Sequence, residues 1–496
     1  MPKNRFQLFS FLFTTIFLTW CGNTSTAWAQ YTPQAYGTMY GAAYPNGNVN
    51  YGNPAHPFGE YLQLPNGIIA QPEGVTNADM TAMWAKYYDL YIGSELEYAG
   101  VSNSGIPLIL NFSDNNGINN HTALTEGMGY SLLIAASFAD KPLYDGLYMF
   151  VKTYMIKSNI VTPCDAFTDY LANWSIAMTP PFGVIGCGSA GDGDEDIAMS
   201  LLMASEQWSS TGAINYAGEA QTMIQNMMDT GVIPGSSPAQ TWYRNVDMWY
   251  YYGAGDENYE NGVASGTYTD YWDPGYYRCW GSTYSGVTYP NRGTGALWTT
   301  VADNTANALV AADAAAGNHG FNSDNINLTG ESATTAPTGF AYAGATAGAE
   351  GMRGPWRYVE DVVYNANNTL ANFIMNTNTS LKTNNVVALN NADKLWNIGL
   401  QWNTNGTWGA SLPAQWAMGT IAAVATGSGD QTWVNEAYRL GSTYQLVGQW
   451  PGGTDYAPVS LIYFNNDLDI LGMLINTGNF PWPCDNQWNQ SVMKVS

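Results

Sequence analysis

From residue 78 onward, apolar side chains recur every three or four positions, the period of helices that bury one stripe. The stretches 80–92, 126–138, 143–156, 194–208, 217–228, 298–315, 355–374, 414–425, 431–440 and 468–474 carry this period. Long segments rich in Gly, Asn, Tyr and Trp separate them, and no sustained apolar/polar alternation reads as a ladder of strands. The pattern predicts one all-α domain of many helices over 78–496. Its long loops, held by a rigid scaffold, are where binding side chains are expected. No internal repeat is evident, which disfavours an open solenoid.

The beginning of the chain follows other rules. Lys3 and Arg5 precede an apolar run from Leu8 to Leu18, and small and polar residues then lead to Ala27-Trp28-Ala29, a small-x-small cleavage pattern. Residues 1–29 are therefore expected to be a signal peptide, leaving a secreted, extracellular or periplasmic chain that starts near Gln30. Trp20 stands before Cys21, where a lipid-attachment motif requires a small residue. No later stretch has the length of a membrane helix, so no span is expected. Residues 30–77, rich in Tyr, Pro, Gly and Asn, read as an N-terminal extension or linker.

Composition narrows the partners. Removal of the signal takes away two positive charges and no negative one, moving the formal charge from −24 to −26. A nucleic-acid partner is unexpected for such a chain. Charged residues are only 11% of the sequence while aromatics reach 14%, with 19 Trp and 34 Tyr. Such rings serve equally as platforms for sugar rings or as core filling. With 3 His and no Cys-x-x-Cys, no zinc site is expected. Cys164, Cys187, Cys279 and Cys484 remain after cleavage and allow two disulfides in three connectivities. Cys164–Cys187 is favoured, since both sit in the loop region before one acidic cluster.

That cluster runs Ala190-Gly-Asp192-Gly-Asp194-Glu195-Asp196 and continues into an apolar helix face ending at Trp208. A helix N-terminus favours one or two carboxylates. More of them, between Gly191 and Gly193, point to close approach of a ligand. The Asp-Gly-Asp-x-Asp spacing lacks the Gly and Glu of a calcium loop. A second carboxylate, Glu126, opens a helix behind Thr125, which is a candidate cap.

Together these segments resemble glycoside hydrolase family 8, the bacterial endoglucanases, chitosanases and some xylanases. Thr125-Glu126-Gly-Met-Gly-Tyr130-Ser follows the family's acid motif, and Ala190 to Ala204 follows its acidic motif, with Gly191 in place of Ser or Thr. Further matches are Asp140 to Asp145, Tyr271 to Tyr277, Arg353-Gly-Pro-Trp-Arg357, and Tyr463 to Leu468 leading to Thr477-Gly-Asn-Phe480.

The resemblance implies an (α/α)6 barrel with a sugar-binding groove at one end, needing no cofactor and no metal. It also implies inverting hydrolysis of a β-1,4-linked polysaccharide, with β-1,4-glucan the first expectation and chitosan or xylan the alternatives. The chain is expected to act as a monomer. Inversion takes one protonated and one ionised carboxyl group about 6.5–9.5 Å apart. Glu126 falls on the family's acid, and Asp192 falls on the aspartate that holds the distorted sugar; Asp194 is expected to support that loop and is a candidate on the substrate-binding side.

The base departs from the pattern. Where cellulases carry Tyr-Asp before the Arg of Arg-x-Pro-Trp-Arg, this chain has Ala349-Glu350. Glu350 is the first candidate base, Glu331 the candidate by analogy with chitosanases, and a binding protein without a base is a further reading. Arg353 orients Glu350 or a sugar hydroxyl, while Trp174, Trp272, Tyr277 and Tyr463 are candidates for sugar contact.

Overall fold

A computed structural model describes residues 71–76, 79–80, 82–84, 122–156, 171–178, 182–186, 188–233, 242–243, 266–289, 293–323, 325–329, 339–342, 346–347, 349–381, 402–403, 407–408, 417–447 and 463–484. The expectations for the signal segment, most of the 30–77 extension, Glu331 and the Cys164–Cys187 pair lie outside these residues.

Helices in two layers dominate the described residues. The inner ones are α1 (Thr125–Ser137), α3 (Gly191–Trp208), α5 (Pro274–Thr283), α7 (Ala349–Val363), α9 (Ala417–Gly427) and α11 (Tyr463–Asn476). Each of the first five is followed by an outer one: α2 (Lys141–Phe150), α4 (Tyr216–Gly231), α6 (Leu297–Ala316), α8 (Asn368–Leu381) and α10 (Gln431–Val447). Burial separates the two sets. All of α1 but Glu126 and nearly all of α3 are buried, whereas the outer helices alternate buried and half-exposed positions.

The inner helices form a closed ring. Helix α1 packs on α3 and on α11, α5 on α7, α7 on α9, and α9 on α11. Between α3 and α5, the Tyr277 hydroxyl donates to Glu195 Oε1 at 2.6 Å. Because each outer helix returns the chain, all inner helices run the same way and present their N-termini at one end. This is the expected (α/α)6 barrel. No helix among the described residues is long and apolar enough to cross a membrane.

Two local expectations need correction, and two kinds of element lie outside what the apolar period reveals. The 355–374 period is split: α7 ends at Val363 and α8 starts at Asn368, since Ala366 takes φ +60° and the Asn367 side chain accepts from Thr369 N at 2.8 Å. Helix α5 was not predicted, because Pro274-Gly-Tyr-Tyr-Arg-Cys-Trp-Gly offers no aliphatic period; Asp273 caps it, accepting from Tyr276 N at 3.0 Å. Thr125 is not the cap of α1. Leu124 holds that position in extended conformation, and Thr125 N instead donates to Trp174 O at 3.0 Å. Short antiparallel strands do occur, notably β1 (Thr122–Leu124), β2 (Ser175–Ala177) and β3 (Val184–Gly186). At three residues each they fall below what alternation can reveal.

Many aromatics turn out to be core. Trp84, Trp272, Trp280, Trp298, Trp356, Trp433 and Trp482 are fully buried, with Trp280 and Trp298 edge to face at 5.0 Å and Tyr364 stacked on Trp482 at 4.6 Å. A disulfide joins Cys279 on α5 to Cys484.

Candidate active site

The N-terminal ends of α1, α3 and α7 and the turn before α5 bring together three carboxyl groups and one guanidinium. Strand β1 runs straight into α1, so pairing with β2 sets where Glu126 emerges in the first turn. Asp192 occupies the first turn of α3, and its Oδ1 accepts from Gly193 N at 2.8 Å. Asp270 sits on a 3-10 turn, Thr269–Tyr271, just before α5.

Arg353, on α7, reaches all three. Its Nη1 is paired with Glu126 Oε1 and lies 3.8 Å from Asp192 Oδ2; its Nη2 lies 2.9 Å from Asp270 Oδ2. The Tyr130 hydroxyl, one turn beyond Glu126 on α1, donates to Glu126 Oε1 at 3.0 Å. Burial pushes the Tyr130 phenol upward, so it remains a donor. The Glu126 side chain is 15% exposed against 3% for Asp192 and 1% for Asp270, which makes Glu126 the carboxyl a ligand can reach most directly.

Arg353 is shared among three carboxyl groups, two of them nearly dry, an arrangement that favours retaining a proton on Asp192 into mildly acidic pH. Burial raises Asp192 to about 6; Arg357 pulls it down, and Asp196 pushes it up. Such a site can hold a proton for a leaving group and keep negative charge beside a developing positive centre.

Asp194 lies behind this cluster. Its Oδ1 accepts from Ala172 N at 3.0 Å, and Ser189 donates to Oδ2. Burial lifts it to about 7, opposed by those two hydrogen bonds. It pins both ends of the hairpin that carries Trp174, whose indole lies on Gly186, where an added Cβ would come within 2.1 Å of Trp174 Cε2.

The remaining predicted residues divide. Trp272 and Tyr277 are fully buried, and Tyr277 is held by Glu195 behind the mouth. Both are packed in the core of the described residues. Glu350 stands in the first turn of α7, three residues before Arg353, and Tyr463 begins α11. The side chains of both lie outside the described atoms. Asp270 was missed because it precedes the Tyr271 motif on a short turn with no period of its own. Tyr130 was legible as the residue four positions after Glu126 on one helix face.

Comparison with known proteins follows the same lines. A family model described as glycosyl hydrolases family 8 matches residues 74–347. Endoglucanase A of Acetivibrio thermocellus is 32% identical over 180 residues, 35% of this chain and 31% of that protein. Endoglucanase 2 of Ruminiclostridium josui is 33% identical over 127 residues, 25% of each. The match thus spans less than a third of these curated relatives. The apo structure of a β-1,3-1,4-glucanase from Paenibacillus sp. X4 superposes with TM-score 0.64 at 20% identity, covering 86% of this chain and 99% of that one. At that identity the likeness speaks for the fold.

Proposed function

Because the chain belongs to glycosyl hydrolases family 8, we propose that it is a secreted inverting endo-β-1,4-glucanase in which Glu126 protonates the leaving oxygen. The observation that carries this reading is the convergence of Glu126, Asp192 and Asp270 on Arg353 at the N-terminal mouth of the barrel. In the resting site the guanidinium holds Glu126. A sugar entering the mouth competes for Arg353, and the shared proton then resides on Glu126, the most exposed of the three.

Asp192 faces the sugar beside the scissile bond and stabilises its developing positive charge. Glu350, one helical turn before Arg353, activates water on the opposite face of the ring. Trp174 supplies a stacking platform at the groove. The substrate assignment draws support from relatives named as endoglucanases, and export from residues 1–29.

The test is release of reducing ends from carboxymethylcellulose, mixed-linkage glucan, chitosan and xylan by wild type, Glu126→Gln, Glu350→Gln and Glu331→Gln. Turnover of the glucans, lost in the first two variants, is expected. No turnover of any polymer, with binding retained, overturns the enzyme reading. Preference for chitosan or xylan reassigns the substrate, and loss in Glu331→Gln with Glu350→Gln active reassigns the base.

A further inference from the structure

Beneath the catalytic mouth the same helices carry a second set of charges. Asp196 follows Asp192 by four residues on α3, and Arg357 follows Arg353 by four on α7, so each pair shares a helix face one turn, roughly 5–6 Å, apart. Asp273 caps α5 just as Asp270 precedes it. The result is a two-level ladder across three elements: Asp192, Arg353 and Asp270 above, Asp196, Arg357 and Asp273 below.

The two levels are bonded differently. Arg357 grips Asp196 with two parallel bonds, Nη1 to Oδ1 and Nη2 to Oδ2, both 2.7 Å, and its Nη1 lies 3.8 Å from Asp273 Oδ2. Its plane is confined by the Trp356 ring at 4.6 Å and the Tyr130 ring at 5.9 Å. Arg353 divides its contacts over three carboxyls, an arrangement that a ligand can redraw. A forked pair fixes distance and rotation together, whereas divided contacts do not. Helix α1 is locked at the lower level too, since a Cβ on Gly129 would come within 2.7 Å of Asp196 Cβ.

We propose that Arg357 with Asp196 is the positioning element of the active site, holding α7 against α3 so that Arg353 and Asp192 meet one turn above. The inference rests on the hydrolase reading for its kinetic arm. Both side chains are buried, 1% and 0% exposed, so neither touches substrate. A buried ion pair contributes little net stability relative to a well-packed apolar pair. Its use here lies in register. The level below also acts through charge on Asp192, which faces Arg353 and Arg357 from α7, Asp194 and Asp196 from its own helix and Tyr130 from α1, and which shares Arg353 with Glu126 and Asp270.

The experiment uses Arg357→Lys, Asp196→Asn and the double Asp196→Leu/Arg357→Met, whose apolar pair keeps the space filled. Circular dichroism and Tm report folding; kcat, KM and the pH profile of kcat/KM are taken on the glucan that wild type hydrolyses. A folded protein with kcat down roughly 100-fold, KM within about threefold and a displaced pH profile is expected, because a misplacement of about an ångström costs on that scale. Separately, infrared difference titration of the Asp192 carboxyl, identified with Asp192→Asn, needs no turnover. There the titration should move down in Asp196→Asn and up in the double variant.

Failure of wild type to act on any polymer sinks the hydrolase reading alone, and the titration then decides the ladder. Unchanged kcat, pH profile and Asp192 titration in folded variants overturn the ladder. So does failure of every variant to fold, which would make the pair a matter of stability only.

Discussion

Gly193 packs its bare Cα against Thr125: a Cβ there would come within 2.6 Å of the Thr125 carbonyl carbon and 2.7 Å of its Oγ1. Thr125 precedes Glu126 on α1 and Gly193 follows Asp192 on α3, so the absence of one methyl group sets how closely the two helices approach beside these carboxyl groups. Gly193→Ala must push the helices apart or shift the first turn of α3. We expect a loss of about 1–3 kcal/mol of stability, as for overpacking. Hydrolysis should fall by roughly 100-fold, beyond what that stability loss explains at a temperature where the variant is folded. Tm and kcat measured together check this, and activity near wild type would show that the spacing is not critical.

Trp174 is placed by its backbone as much as by its ring. Its N donates to Gly188 O at 3.0 Å, its O accepts from Thr125 N, and Asp194 ties down Ala172 and Ser189 on either side. Trp174→Ala should raise KM about fivefold or more, the worth of about 1 kcal/mol of ring contact, with kcat less affected. Asp194→Ala should also raise KM, since it frees the hairpin. Oligosaccharide kinetics on both variants distinguish a platform from simple packing.

Stability should decline as pH rises from acid to neutral. Burial raises Asp140 and Asp194 to about 7 and Asp192 to about 6, from an ordinary value of 3.8. Between about pH 4 and 7 the folded chain therefore binds more protons than the unfolded one. The contribution of these groups is complete below the unfolded value and is lost as pH climbs through the folded values. Urea midpoints should be higher at pH 5 than at pH 8. Asp140→Asn keeps an acceptor for Leu143 N, now at 3.2 Å, without a titrating proton, and should flatten the dependence. A midpoint that rises with pH contradicts this account.

The Cys279–Cys484 bridge spans 205 residues and ties α5 to the far end of the described chain. Its removal, by Cys279→Ser/Cys484→Ser, should lower stability by about 2–4 kcal/mol, measured by denaturant unfolding. With those two sulfurs joined, and Cys21 proposed to leave with the signal peptide, Cys164 and Cys187 are expected to pair with each other. A non-reducing peptide map should find that second bridge, and a map with Cys164 joined to Cys279 or Cys484 would refute both.

The helical period, the acidic cluster and the Glu126 segment are local properties of the chain, and each was legible in the residues. Helix boundaries set by apolar spacing, a carboxylate in the first turn of α1, and Asp192 and Asp194 in the first turn of α3 need no knowledge of distant neighbours. Helix α5 was not among them, because the aromatic residues after Asp273-Pro274 carry no apolar period. What the sequence could not carry was the company each side chain keeps. Trp174 and Trp272 are the same residue type in similar motifs, yet one lies on the hairpin at the mouth and the other is sealed in the core. That difference is set by tertiary packing, which leaves Trp174 half-buried beside Gly186 and encloses Trp272 completely. Arg353 and Arg357 likewise look alike on one helix face. Only the approach of α3 and α5 makes the first a shared partner of three carboxyls and the second a clamp, because charge pairing across helices depends on distances that local spacing does not contain.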